Sequence, residues 1–111
     1  IKNEMALQEI CGETASLFAP PYGAWDDRVS RVAGELGYKT IMWTVDTIDW
    51  QRPAPEIIVS RVINGLEAGA IILAHPTSPT EKALPFIISE AKNRNYSFVT
   101  VGKMIGEERR E

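Results

Sequence analysis

Apolar positions along this chain switch between helical and extended periods, and the switches divide it into short elements. Ile1, Met5 and Ile10 fall near one face of a helix that Gly12 ends. Ser16 to Ala19 is a short apolar segment that reads as a strand. It runs into Pro20-Pro21-Tyr22-Gly23, where two prolines and a glycine enforce a loop. Asp26 or Asp27 then caps a second helix, in which Val29, Val32, Ala33 and Leu36 follow the i, i+3, i+4, i+7 pattern and Gly37 closes the run. Thr40 to Val45, rich in β-branched and aromatic residues, predicts a strand buried on both faces. After a loop from Asp46 to about Ala54, Pro55 opens a third helix that would bury Ile58, Val59, Val62, Ile63 and Leu66. Ala70 to Ala74 predicts another apolar strand, which stops abruptly at His75-Pro76. A Thr/Ser/Pro loop leads to a fourth helix with Leu84, Ile87, Ile88 and Ala91 on one face, and Pro85 fits it only in the first turn. Asn95 suits a left-handed cap, Ser97 to Val101 reads as a last strand, and a short turn of helix follows.

Helix and strand therefore alternate throughout, which implies α/β architecture with a parallel sheet and right-handed crossovers. About four parallel strands make a small open sheet, whereas a closed (β/α) barrel typically takes about 250 residues. The chain, at 111 residues, is thus either a compact three-layer domain or a portion of a barrel. Its hydrophobic fraction of 44% is ordinary for a globular protein. The net charge of −3 and the lack of a basic cluster before Arg109-Arg110 argue against nucleic acid as a partner. No apolar run approaches the ~18 residues of a membrane span. Ile1-Lys2-Asn3-Glu4 has no signal-peptide character, and the helical pattern starts already under way. Cys11, the one cysteine, has no internal disulfide partner.

In parallel α/β folds, chemistry gathers at the carboxyl ends of the strands. Here those ends carry Pro20-Pro21-Tyr22-Gly23, Asp46-Thr47-Ile48-Asp49-Trp50 and His75-Pro76-Thr77. Three polar or aromatic ends on one rim outweigh any single motif. A lone histidine more often serves packing than catalysis, but His75 directly follows five apolar residues, which turns the reading toward function. Asp46 and Asp49 are either turn-capping carboxylates or partners of that imidazole. A carboxylate beside His75 would favour the imidazolium, as a general acid protonating a leaving group requires. Trp50 follows the loop rather than the strand, so it suits a sugar-facing platform better than a core position.

The order and spacing of Ala19-Pro20-Pro21-Tyr22-Gly23, Trp43-Thr44-Val45-Asp46-Thr47-Ile48-Asp49-Trp50 and Ile72-Leu73-Ala74-His75 resemble the last three motifs of the polysaccharide deacetylases. These are also called the NodB-homology domain or carbohydrate esterase family 4. Leu84-Pro85 to Tyr96-Ser97-Phe98-Val99-Thr100 looks like the end of that domain, and the Trp-Thr-Val-Asp-Thr-Ile-Asp-Trp run is most similar to a sporulation-associated branch. The resemblance implies that residues 1–111 are the C-terminal portion of a distorted, NodB-type (β/α) barrel, with the N-terminal metal-binding half absent. It implies metal-dependent removal of acetyl groups from peptidoglycan or another N-acetylglucosamine polymer, outside the cell or in the envelope of a bacterium. The family's metal, zinc by expectation, is bound by one Asp and two His of earlier motifs, so a chain with one histidine has no metal ligands of that set. By the same resemblance His75 is the general acid, Asp49 orients and charges it, and the Tyr22 backbone N–H stabilises the oxyanion. Pro21 and Trp50 border the glycan, Leu73 lines the acetyl pocket, and Asp46 is a secondary, structural carboxylate.

Active members usually begin the third motif with an Arg that pairs with the catalytic base; here that position is Ala19. This substitution motivates a second expectation, a catalytically inactive glycan-binding domain. A third is a self-standing α/β binding module with an anion held by Thr77-Ser78-Pro79-Thr80 at a helix N-terminus. A half-barrel would also expose a sheet edge, and the expectation is either a homodimer through that edge or proteolytic loss of the other half from a once-complete barrel.

Overall fold

A computed structural model describes residues 2–12 and 16–106. Ile1, Arg109 and Arg110 lie outside the described residues. The chain divides into two compact units, Ile1–Met42 and Trp43–Glu111.

In the first unit, α1 (Lys2–Cys11) precedes β1 (Leu17–Phe18), a 3-10 turn (Pro21–Gly23), α2 (Asp27–Glu35) and β2 (Lys39–Thr40). The Asp26 carboxylate caps α2 by accepting the Val29 N–H at 2.8 Å. Strand β2 runs parallel to β1, with Leu17 beside Lys39 and Phe18 beside Thr40. Helix α1 buries none of its residues; Met5 and Ile10, expected on an inner face, are exposed. The Tyr38 hydroxyl donates to Glu4 at 2.6 Å and ties α1 to the end of α2. A cleft of about 640 Å³ opens between α1 and α2, lined by Leu7, Leu17, Phe18, Val29 and Leu36, and it contains none of the candidate site residues.

The second unit runs β3 (Val45–Asp46), a 3-10 turn (Asp49–Gln51), α3 (Pro55–Asn64), β4 (Ile72–Leu73), α4 (Ser78–Asn93) and α5 (Val101–Met104). Strands β3 and β4 pair in parallel, Val45 beside Ile72 and Asp46 beside Leu73. The core is Val45, Ile58, Val62, Ala83 and Ile87, with Val59, Leu66 and Ile72 packed against it. Pro55 opens α3 as expected, and Thr77 caps α4 with its side chain.

Five expectations are corrected. The predicted strand Thr40–Val45 is two strands, because its hydrogen-bond partner changes along the run. The Ile41 N–H still donates to Phe18 of the first pair, while the Thr44 and Val45 N–H groups both donate to the Ile71 carbonyl. Nor is the run buried on both faces, since only Val45 in it is buried. Ser97–Val101 is no strand: these residues join no ladder, and β-branched composition without a partner strand makes none. Instead the Thr100 hydroxyl accepts the Lys103 N–H and starts α5 at Val101. The inner face of α4 is Thr80, Ala83, Ile87 and Ala91, not Leu84 and Ile88, which are exposed. Pro85 therefore sits inside α4 rather than in its first turn. It lacks an N–H, so the Glu81 carbonyl loses its intrahelical donor, on a face where both residues meet solvent.

Helix α3 closes on β3 so tightly that a Cβ at Gly65 would stand 2.5 Å from Val45 Cγ2. Gly65→Ala should therefore destabilise the second unit by about 1–3 kcal/mol through overpacking. Gly34→Ala, in α2 with nothing within 4 Å of the added carbon, should stabilise by about 0.5–1 kcal/mol through lower chain entropy. Denaturant midpoints of the two variants check the pair; a Gly65→Ala midpoint equal to wild type would show that the approach is not tight.

Candidate active site

The β3–β4 register sets the site. Residues 46 and 73 lie side by side, and shortly beyond that pair each strand delivers one candidate side chain. Three residues beyond Asp46 is Asp49, and two beyond Leu73 is His75. The intervening loop is fixed from several directions. Thr47, 1% exposed, donates its hydroxyl to the Leu73 carbonyl at 2.9 Å. Arg61 of α3 donates from Nη1 to the Thr47 carbonyl at 2.7 Å. The Asp46 carboxylate accepts the Ile48 N–H at 2.9 Å, a local side-chain turn. Ile48 and Arg52, on either side of the 3-10 turn, both sit at φ 53°. A β-branched residue in that region is an outlier costing about 1–3 kcal/mol, which the surrounding bonds must offset. The result is a turn that drives Asp49 inward while Trp50 stays 64% exposed.

The Asp49 side chain is fully buried and accepts three hydrogen bonds. Oδ1 accepts from His75 Nδ1 at 2.8 Å. Oδ2 accepts the His75 backbone N–H and the Thr80 hydroxyl, the latter at 2.7 Å. Burial alone pushes this carboxyl up, but the His75 N–H, the Thr80 hydroxyl and the His75 ring together hold it below the ordinary Asp value. The His75 side chain is 48% exposed. An ionised carboxylate only accepts, so Nδ1 carries the proton, and Nε2 is left for chemistry.

Asp49 and His75 are thus brought together as a dyad, and Trp50 and Leu73 lie next to them along the chain. Leu73 is half-buried, and its carbonyl is spent on Thr47. Asp46 is exposed and engaged by Ile48. Tyr22 and Pro21 belong to the first unit. Tyr22 adopts φ 59° and is wholly exposed. The hydrogen bonds closing its turn come from the Gly23 and Ala24 amides, so neither consumes the Tyr22 N–H. Among the described residues no three His, Cys, Asp or Glu side chains cluster to hold a metal ion, and the single histidine is committed through Nδ1.

Sequence reasoning missed Thr80, Thr47 and Arg61 as parts of this site. Thr77-x-x-Thr80 carried a signal, a capping threonine followed three residues later by a second hydroxyl in the first helical turn. The phosphate-holding expectation for this stretch is corrected too: the Thr80 hydroxyl is turned to the chain's own carboxylate. Thr47 and Arg61 had no local signature, since their partners are a carbonyl 26 residues away and one 14 residues away.

The sign of the pH dependence follows from the depressed Asp49 carboxyl. Its contribution to stability is complete above the unfolded-state pKa, about 3.9, and is lost as pH falls through the lower folded value. Unfolding free energy should therefore fall in acid below about pH 4, and Asp49→Asn should remove part of that slope. At neutral pH the same substitution should cost about 1–3 kcal/mol, because the Asn NH₂ faces donors it cannot satisfy. Denaturant titrations at several pH values decide this; an unchanged acid slope would mean that Asp49 is not ionised when folded.

Residues 2–41 match the polysaccharide deacetylase family. Across 97% of its length the chain is 40% identical to the Bacillus subtilis protein YlxY, of which it covers 34%. It is 39% identical to a peptidoglycan-N-acetylglucosamine deacetylase of Bacillus cereus over 80% of its length, covering 45% of that protein. Among solved structures, BA3943 of Bacillus anthracis, a carbohydrate esterase family 4 pseudoenzyme, superposes with a TM-score of 0.90 at 38% identity. That match takes in 97% of this chain and 38% of the other. A BA3943 mutant with restored enzymatic activity superposes equally well, at 0.90. The chain spans less than half the length of each of these relatives. Motif order, fold and relatives agree: the chain belongs to the polysaccharide deacetylase family.

Proposed function

We propose that this chain is part of a polysaccharide N-deacetylase, acting on peptidoglycan or a related N-acetylglucosamine polymer outside the cell or in a bacterial envelope. The observation that carries the proposal is the Asp49–His75 dyad: a buried carboxylate holds the imidazole by both its ring and its backbone. Deacetylation expels an amine, which must be protonated as it leaves. His75 Nε2 delivers that proton, and Asp49 stabilises the imidazolium that precedes it. The Tyr22 N–H, left over by the turn, is suited to receive the oxyanion of the tetrahedral intermediate. Trp50 and Pro21 offer surfaces for the sugar, Leu73 an apolar wall for the acetyl methyl, and Asp46 shapes the loop. The divalent metal that the family uses, zinc by expectation, does not fit the residues of this chain. Its ligands would belong to another part of the polypeptide, the N-terminal half of the domain, with an Asp-Asp pair and a His-x-x-x-His.

A second reading is a glycan-binding pseudoenzyme. Ala19, exposed where active members carry Arg, and the similarity to BA3943 favour it. BA3943 and its reactivated mutant match this chain with the same TM-score, so backbone shape does not separate the two readings.

Acetate release from an N-acetylated glycan by the full-length protein tests the first reading. His75→Ala should cut turnover by about 10²–10⁴, the usual contribution of a general acid. Tyr22→Gly should leave turnover largely intact, because the role assigned is the backbone's. No acetate from the wild type, with glycan binding that survives His75→Ala, would favour the pseudoenzyme.

A further inference from the structure

The donors around Asp49 leave no freedom in the direction of their protons. Asp49 is anionic, so the Thr80 hydroxyl must spend its one proton on Oδ2, 2.7 Å away. The Thr77 and Thr80 hydroxyl oxygens are 2.8 Å apart, and with the Thr80 proton committed, Thr77 must be the donor. Thr77 Oγ1 in turn accepts the Thr80 N–H at 3.3 Å as the helix cap. The relay therefore runs one way, from Thr77 to Thr80 to Asp49. Its last member faces a carboxylate whose other oxygen faces His75.

This relay stands on a rigid platform. Thr80 is 5% exposed, and three residues further along α4 is Ala83, in the core beside Ile58 and Val62 of α3. The Thr77 N–H donates to the His75 carbonyl at 2.8 Å, so the same segment closes the turn after the histidine. Oδ2 thus receives two fixed donors, and only one carboxylate rotamer satisfies both while presenting Oδ1 to the ring.

We propose that Thr80 is a positioning residue: its hydroxyl locks the Asp49 carboxylate and thereby holds His75 in the tautomer with the proton on Nδ1 and the lone pair on Nε2. Its consequence for catalysis rests on the deacetylase reading, in which Nε2 is the atom that carries the proton. The tautomer itself does not.

The test uses the full-length protein with ¹⁵N-labelled histidine, the His75 signals being assigned by their loss in His75→Gln. With the ring neutral, wild type and Thr80→Ser should both show a single tautomer protonated at Nδ1. Thr80→Val keeps the shape but not the donor, and it should show averaged tautomer shifts and lose the low-field Nδ1–H resonance. On an N-acetylated glycan, Thr80→Val should lower kcat about tenfold with little change in KM, the loss typical of a misaligned supporting group. Thr80→Ser should recover it. A wild-type imidazole spectrum in Thr80→Val overturns the proposal, as does Thr80→Ser behaving like Thr80→Val. Should Thr80→Val not fold, the unmutated protein still decides, because the Thr80 hydroxyl proton should appear as a resolved, slowly exchanging resonance. A hydroxyl in fast exchange with water overturns the proposal. Expected spectra with no acetate release would instead sink the deacetylase reading and leave the positioning role standing.

Discussion

A carboxylate sealed from water is stable only when other groups replace the lost hydration, and at Asp49 three donors do so. The requirement reaches far into the fold. Satisfying Oδ2 needs the chain to turn sharply at His75 and helix α4 to begin with Thr80 on its inner side. Bringing Asp49 inward needs a loop with Ile48 in a left-handed conformation, which Asp46, Thr47 and Arg61 restrain. The dyad is therefore not two side chains that happen to meet. It is the point where the ends of β3 and β4 and the start of α4 are reconciled.

Much of this was legible in the sequence, and the pattern of success has a physical basis. The starts of α2 and α3 were read well because caps and prolines act locally: Asp26 and Pro55 each determine a backbone position within a few residues. The dyad was legible because His75 directly follows an apolar run and both residues match family motifs. Strands were read less well. Thr40–Val45 and Ser97–Val101 have the composition of strands, but a strand exists only through its partner, and partners lie far away in sequence. The inner face of α4 was displaced for a related reason. Thr80 counts as polar in any hydrophobic pattern, yet burial of Asp49 pulls it inside, and Ala83 and Ala91 follow in register.

Thr80, Thr47 and Arg61 escaped sequence reasoning because their contribution is relational. A threonine is ordinary in the first turn of a helix; it becomes significant only when a buried anion faces it. Arg61, on a helix with apolar neighbours, reads as a surface cation, but its guanidinium reaches a loop carbonyl. Such side chains are found by asking of each buried polar atom which group satisfies it. Among the described residues only the Thr40 hydroxyl is buried without a partner, so around Asp49 that accounting closes.

Because the accounting closes, packing and chemistry in the second unit are linked. Ile58 and Val62 on α3 pack with Ala83 and Ile87 on α4. Arg61 lies one residue before Val62, and Thr80 lies three before Ala83. A shift of either helix along its axis would move Arg61 off the Thr47 carbonyl or Thr80 off Asp49. Both bonds are short, at 2.7 Å, and a hydrogen bond weakens steeply beyond its ordinary range. Well-packed cores resist such shifts because they occupy discrete arrangements rather than deforming smoothly. The apolar contact between α3 and α4 thus does for His75 what no local turn could: it converts close packing into a fixed orientation for one imidazole.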